Sequence, residues 1–345
     1  MAIRWPLRLC AIFCLFAVAT FPCASAQKPS DPWLTVSAPK GHSNGKTVVL
    51  ISGDEEYRSE ESLPQLARIL ATRHGFNCIV LFAVDPKDGK ICPNVNNNIP
   101  GLEHLKRADL MIILTRWRNL PDDQMKWIAE YVESGKPVIG IRTATHAFNL
   151  KNSAFQKYTW DNKTTEYEGG FGRQVLGETW IAHHGNHGKE ATRGVLAADQ
   201  MTNPILTGLD AQSIFVPTDV YEVRLPLPGD SVPLVFGQVL ESMEETSKPV
   251  EGPKNSPMLP IAWTRTYRGT AGRSARVFTT TMGSALDLQR EGVRRLLVNA
   301  VYWSLGLEKK ITPGLNVDTV GEYSPSPFSF RSLESWKPGK TPSEM

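Results

Sequence analysis

From Thr47 onward, short continuous apolar runs alternate with segments in which apolar residues recur every three to four positions. Thr47 to Ser52 (TVVLIS) is the first run, β-branched and followed by the polar stretch Gly53 to Arg58, which predicts a strand ending in a loop. Leu63, Leu66, Ala67 and Leu70 then fall on one helical face, and Gly75 is a suitable stop. Cys78 to Val84 reads as a second strand, Asp109 to Leu114 as a third and Val138 to Ile141 as a fourth. Between the last two, Pro121 sits in a first helical turn, with Met125, Ile128, Ala129 and Val132 as the buried face and Gly135 as the end.

Strands that are apolar at every position are buried on both sides, which parallel sheets with helical crossovers require. With right-handed crossovers, the pattern predicts an α/β fold, doubly wound, with a mostly parallel sheet and helices on both faces. The segment 151–257 is less regular and rich in Gly, Pro, Trp and His, and reads as an insertion within a single domain. Further strands are expected at 233–240, 259–265 and 276–281. The last helix presents Val293, Leu296, Leu297, Ala300 and Val301 on one face and ends at Gly306. Five prolines beyond Lys310 predict a tail, 309–345, that wraps the surface.

The first 26 residues follow the three-part logic of a secretory signal: Arg4 and Arg8, an apolar run from Leu9 to Phe21, and Ala24-Ser25-Ala26 before Gln27. The expected organisation is a signal over 1–26, a linker over 27–45, one domain over 46–308, and the tail. Cleavage near Ala26 implies an exported, periplasmic or secreted protein. No later run approaches the roughly 18 to 20 apolar residues of a membrane span, so none is expected after signal removal.

Composition narrows the function. With 345 residues, 41% hydrophobic and 21% charged, the chain can bury a sizeable core. Lys and Arg number 38 against 35 Asp and Glu, for a net +3, which supplies no basic stripe for nucleic acid. There is no P-loop and no GxGxxG after the first strand, so no nucleotide cofactor is indicated. Past the signal, Cys78 and Cys92 remain. A bridge between them would close a loop of about 15 residues and add ~3 kcal/mol; a buried strand thiol and a loop thiol is the favoured reading.

Ligands of open α/β sheets bind outside the carboxyl ends of the strands. Asp54, Glu55, Glu56, Tyr57 and Arg58 follow the first strand, Arg116, Trp117 and Arg118 the third, and Arg142 to His146 the fourth. Carboxylates, guanidinium groups and aromatic rings suit a polar, hydroxyl-rich ligand. A second constellation, Trp180 with His183, His184 and His187, holds three of the seven histidines and follows the glycine-rich 169–172. His183, His184 and His187 could hold a divalent metal, or serve as metal-free acid/base groups, or be structural. In the turn after the fourth strand, Arg142 occupies the place of a nucleophile, and Thr143 is a poor substitute.

These stretches resemble the ThuA-like (trehalose-utilisation) family, and within it exported forms of planctomycete-type bacteria. The matching segments are ISGDEEYRSEESLP (51–64), NNIPGLEHLKRADLMIILTRWRNLP (97–121), GKPVIGIRTATHAF (135–148), GGFGRQVLGETWIAHHGNHG (169–188), TDVYEV (218–223), and RVFTTTMGSALDL followed by RRLLVNAVYWSLGL. The resemblance implies a class I glutamine amidotransferase-like (flavodoxin-like) fold without its cysteine, and a role in disaccharide or 3-keto-sugar use. It adds Asp219 and Tyr221 to the site.

The expected activity is proton transfer on a sugar or 3-keto-glycoside, leading to elimination or hydrolysis. Asp54, His183 or His184 would be the base; Arg142 and His146 would stabilise the enolate. Glu55, Tyr57, Arg116, Trp117, Arg118, Trp180, His187, Asp219 and Tyr221 would bind the sugar. A non-catalytic sugar-binding module and a metal-dependent hydrolase using the histidine segment are the alternatives.

Overall fold

Val48, Val49, Leu50 and Ile51 are all fully buried, because the strand that carries them lies inside a sheet covered on both sides. In a computed structural model that describes residues 1–2 and 31–345, this strand is β2 (Thr47–Gly53). The expected signal peptide falls on residues outside the described ones. Successive side chains of a strand point to opposite faces. Val48 and Leu50 therefore pack with α1 (Ser59–His74) and α3 (Glu291–Ser304), while Val49 and Ile51 pack with α2 (Asp122–Glu133). The helix α1 stops at Gly75, whose φ of 74° is the left-handed conformation glycine adopts without a Cβ penalty.

The remaining strands are β1 (Trp33–Val36), β3 (Asn77–Phe82), β4 (Leu110–Thr115), β5 (Val138–Ile141), β6 (Thr192–Leu196), β7 (Phe215–Val216), β8 (Val232–Val239), β9 (Leu259–Arg268) and β10 (Ser274–Thr280). They form one ten-stranded sheet in the order β1-β3-β2-β4-β5-β10-β9-β8-β6-β7. Parallel pairing runs only from β3 through β2, β4 and β5 to β10. The other neighbours are antiparallel, so the sheet is mixed where a mostly parallel one was expected. Connection length explains part of this: β9 and β10 are joined by residues 269–273, too few for the crossover of a dozen or more residues that parallel neighbours need.

Three strands lie where the sequence pattern shows no clear strand. The edge strand β1 falls within the expected linker and pairs with β3, and β6 and β7 fall within the irregular segment. Their burial patterns are mixed and their runs short, which leaves little periodicity to read. The tail contributes Val317 to the core cluster that contains α1 and α3, and packs Tyr323 against it. Cys78 lies buried in β3 and Cys92 in the loop beyond it, and both are free thiols. Among the described residues no helix is long and apolar enough to cross a membrane.

Candidate functional site

The carboxyl ends of β2, β4 and β5 lie side by side, with Gly53 opposite Thr115 and Ile113 opposite Gly140. The loops that follow these strands therefore share one edge of the sheet. In the first loop, Asp54 Oδ1 accepts the N–H groups of Glu56 at 2.7 Å and Tyr57 at 2.6 Å, and Oδ2 accepts the Thr143 hydroxyl. Burial, with the charge of Glu55 second, raises the Asp54 pKa. Asp54 was expected to be a base. It is fully buried with both oxygens engaged, so it shapes the turn and presents Glu55, Glu56 and Tyr57. The same bond occupies the Thr143 hydroxyl.

Arg142 was expected to meet the substrate, and it too is inside the scaffold. Its φ of 47° makes it a strained, left-handed first residue of the short 3-10 turn Arg142–His146 that follows β5. The guanidinium donates to the carbonyls of Asp219 (2.7 Å) and Thr281 (2.6 Å), to Tyr57 Oη (3.0 Å) and to Asp219 Oδ1 (2.7 Å). It also lies over the rings of Tyr57 and Tyr221, 4.5 and 3.8 Å from their centroids. It has no exposed surface, and its contacts fix Asp219 and two tyrosines.

Glu55 bridges Arg116 Nη1 and Arg118 Nη2, both at 2.5 Å. Arg118 is buried and also donates to the Pro93 carbonyl at 2.7 Å, which leaves Arg116 as the guanidinium nearer solvent. Arg116 stacks on Trp117, 3.9 Å from the ring centroid.

The histidine segment reaches this edge through backbone pairing with the segment around Asp219: His183 bridges Tyr221, and the Glu222 N–H donates to the Ala182 carbonyl at 2.9 Å. Gly185 permits the approach, since a Cβ there would lie 3.2 Å from Asp219 Cβ. Asp219 Oδ2 meets His183 Nδ1 at 2.7 Å, and Asp219 Oδ1 meets His187 Nδ1 at 3.0 Å. His187 Nε2 lies 3.2 Å from Glu56. Burial alone would raise the Asp219 pKa, but Arg142 and the two histidines outweigh it and hold the carboxyl far below the usual range. The hydrogen bonds to Asp219 and Glu56 raise His187 to about 9. His184 turns away, with Nε2 2.9 Å from the Lys254 carbonyl, and belongs to neither the base position nor the cluster.

One face of the site is aromatic. His146 packs 5.3 Å from both Trp117 and Trp180, and Tyr221 lies 5.5 Å from His183. Burial, then Arg116 and Arg142, push the His146 pKa well below its ordinary value, so this imidazole is neutral near pH 7. Trp160 joins the group, 5.9 Å from Trp180 and 6.0 Å from Trp117; no sequence signal separated it from the other tryptophans. On the opposite side the tail supplies Phe328, 5.3 Å from His187 and 5.4 Å from Tyr57. The tail is held by the Ser329 N–H donating to the Glu56 carbonyl at 3.0 Å, and by Arg58 donating to the Ser329 carbonyl.

Among the described residues, His183, His187 and Asp219 offer donor atoms within 4.8 Å of one another. Asp219 thus stands where the histidine spacing alone proposes His184. The set is two imidazoles and a carboxylate, with Glu56 behind His187, which suits a borderline divalent ion.

An α/β protein with a histidine-carboxylate cluster and aromatic walls at the carboxyl ends of its parallel strands is the class that fold and site define. The chain belongs to the ThuA family, described as trehalose utilisation, whose model matches residues 48–304. It is similar to a ThuA-like protein of Parabacteroides merdae, at 18% identity over 83% of this chain and 97% of the other, with a TM-score of 0.49. A ThuA-like protein of Bacteroides uniformis is similar at 16% identity over 86% of this chain and 100% of the other, with a TM-score of 0.42. No curated protein matches the chain.

Proposed function

We propose that this chain processes a carbohydrate, specifically a 3-keto-glycoside, by proton transfer at His183. The observation that carries the reading is the 2.7 Å contact of His183 Nδ1 with Asp219 Oδ2, on a ring that is 37% exposed beside Trp180 and Tyr221. A carboxylate on Nδ1 fixes the tautomer, leaves the lone pair on Nε2, and stabilises the imidazolium that forms.

In a 3-keto-glycoside the ketone at C3 acidifies the hydrogen on C2. His183 Nε2 takes that proton and the C–H electron pair becomes the enolate. As the C1–O bond breaks, that pair forms the C1=C2 double bond, and the leaving oxygen takes the proton back from His183. The products are an unsaturated keto-sugar and the free alcohol or second sugar, with no net oxidation. His146, neutral and set among Trp117, Trp180 and Tyr221, is the N–H donor for the enolate oxygen. Arg142 acts only through Asp219 and the tyrosines. The reading includes export after cleavage near Ala26, supported by the charged, apolar and small-residue order of residues 1–26. It also includes descent from an amidotransferase-type fold, supported by the left-handed Arg142 at the strand-to-helix turn.

The test is turnover of a 3-keto-glucoside by the purified chain. We expect release of the aglycone, a primary isotope effect with deuterium at C2, and a loss of about 100-fold or more in kcat for His183→Ala. Binding without turnover supports a sugar-binding module instead; full activity in His183→Ala overturns the role of the dyad. The donor set of His183, His187 and Asp219 favours a second reading, metal-dependent hydrolysis, in which a bound divalent ion would polarise the substrate oxygen. Stoichiometric metal in protein purified without chelator, with activity lost on chelation, selects that reading.

A further inference from the structure

The tail brings two aromatic rings to the rim of the proposed site. Phe328 lies 5.3 Å from His187, which is itself 4.9 Å from His183. The Arg116 guanidinium lies 5.0 Å from the ring centroid of Phe330 and 3.9 Å from that of Trp117, and Trp117 is 6.1 Å from Trp180. Two runs of neighbouring side chains therefore lead from the tail toward Trp180, one through Arg116 and Trp117 and one through His187 and His183. The tail forms the wall that faces Trp180 across the histidines.

This wall is built rather than draped. Ser329, between the two rings, donates its N–H to the Glu56 carbonyl at 3.0 Å, and its carbonyl accepts Arg58. Arg58 is fully buried, holds a left-handed φ of 61°, and lies 5.3 Å from the ring of Trp336, another tail residue. Asn94 donates to the Arg331 carbonyl at 2.9 Å and accepts the Trp336 indole N–H at 2.8 Å. A buried guanidinium is costly unless its charge and its N–H groups are met. Here it is shared between Glu60 and a tail that lies beyond residues 48–304, the span that the family model matches. The rings are thus fixed before any ligand arrives, which lowers the cost of binding against them.

What this end of the site offers is ring faces. Glu55 is taken by Arg116 and Arg118, and Glu56 faces His187 and Arg116, so the charged groups beside the rings are paired with one another. Phe328 is half-buried, and Phe330 is 60% exposed. A sugar ring needs donors and acceptors around its edge, whereas an aromatic ring needs faces and edges of other rings.

We propose that Phe328 and Phe330 are specificity-determining residues, and that the substrate is an aryl glycoside whose aromatic aglycone lies against the tail while its sugar lies against His183 and Trp180. This inference rests on the carbohydrate reading of the His183 site and names the leaving group for it. The elimination keeps its balance: the C1–O bond breaks, the phenol oxygen takes the proton held by His183, and no oxidant is consumed.

The test is titration calorimetry of the full chain with phenyl glucoside and methyl glucoside, which lack the C3 ketone and so are not consumed by the proposed elimination. We expect phenyl glucoside to bind at least tenfold more tightly. Phe328→Ala and Phe330→Ala should each lower phenyl glucoside affinity several-fold more than methyl glucoside affinity, and Phe330→Tyr, which keeps the ring, should retain the preference. Position 330 is at the surface, so its variants test the wall even if Phe328→Ala does not fold. Equal affinities, no binding of either glucoside, or a preference untouched by the alanine variants overturns the aromatic wall. Turnover of methyl 3-keto-glucoside decides the His183 reading separately, so the two fail independently.

Discussion

Arg142 and Asp219 form an ion pair with no exposed side-chain surface, Nη2 to Oδ1 at 2.7 Å. Removing one partner of such a pair leaves a buried charge uncompensated, which costs about 3–5 kcal/mol. Arg142→Met should therefore lower stability by about that amount in urea unfolding, and should also release the carboxylate that orients His183. A loss under about 1 kcal/mol would show that the pair is not holding this edge together.

Glu60 tests the electrostatics of α1. Burial raises its pKa from 4.5 to about 7, with Arg58 only partly opposing the shift. The folded state thus resists ionisation more than the unfolded chain does, and stability contributed by neutral Glu60 is lost as pH rises from about 4.5 to about 7. Glu60→Gln removes the titration. The melting temperature of the variant relative to the natural chain should rise between pH 5 and pH 8, and parallel curves would refute the shift.

The two buried thiols are free. A reductant should leave the melting temperature unchanged, and alkylation under denaturing conditions should label both Cys78 and Cys92 without prior reduction. A mass consistent with a Cys78–Cys92 bridge would contradict the structure.

Phe328 covers His187 from the tail. Phe328→Ala should cost about 1 kcal/mol, since the ring is only half-buried. It should also raise several-fold the rate of hydrogen–deuterium exchange at the His187 Cε1–H, a reaction that proceeds from the protonated ring, read by peptide mass spectrometry. An unchanged rate would mean that the tail does not shield the site.

The parts of this protein visible in its sequence are those set by local periodicity. The runs 47–52, 109–114 and 138–141 are apolar at nearly every position because both faces of β2, β4 and β5 are covered, and Gly75 follows the last turn of α1. The grouping of residues 54–58, 116–118 and 142–146 at one edge follows from those strands being parallel neighbours, which the pattern also implies.

What the local pattern cannot carry is how deeply each side chain lies and what it meets across the chain. Asp54, Arg142 and His183 look equally functional by type and position, yet Asp54 and Arg142 are sealed inside while His183 is open. His183 and His184 are adjacent and alike, and only pairing with the strand-like segment at Val220–Glu222 turns one toward Asp219 and the other toward Lys254. Asp219 is 36 residues from His183 and 77 from Arg142, so the cluster is a product of non-local backbone pairing. The same holds for the tail, whose Phe328 lies against Tyr57 although proline spacing alone describes only a surface wrap. Local sequence determined β2, β4 and β5 and the edge they form; burial and long-range pairing, which depend on the whole chain closing around that edge, decided which side chains are sealed there and which are open.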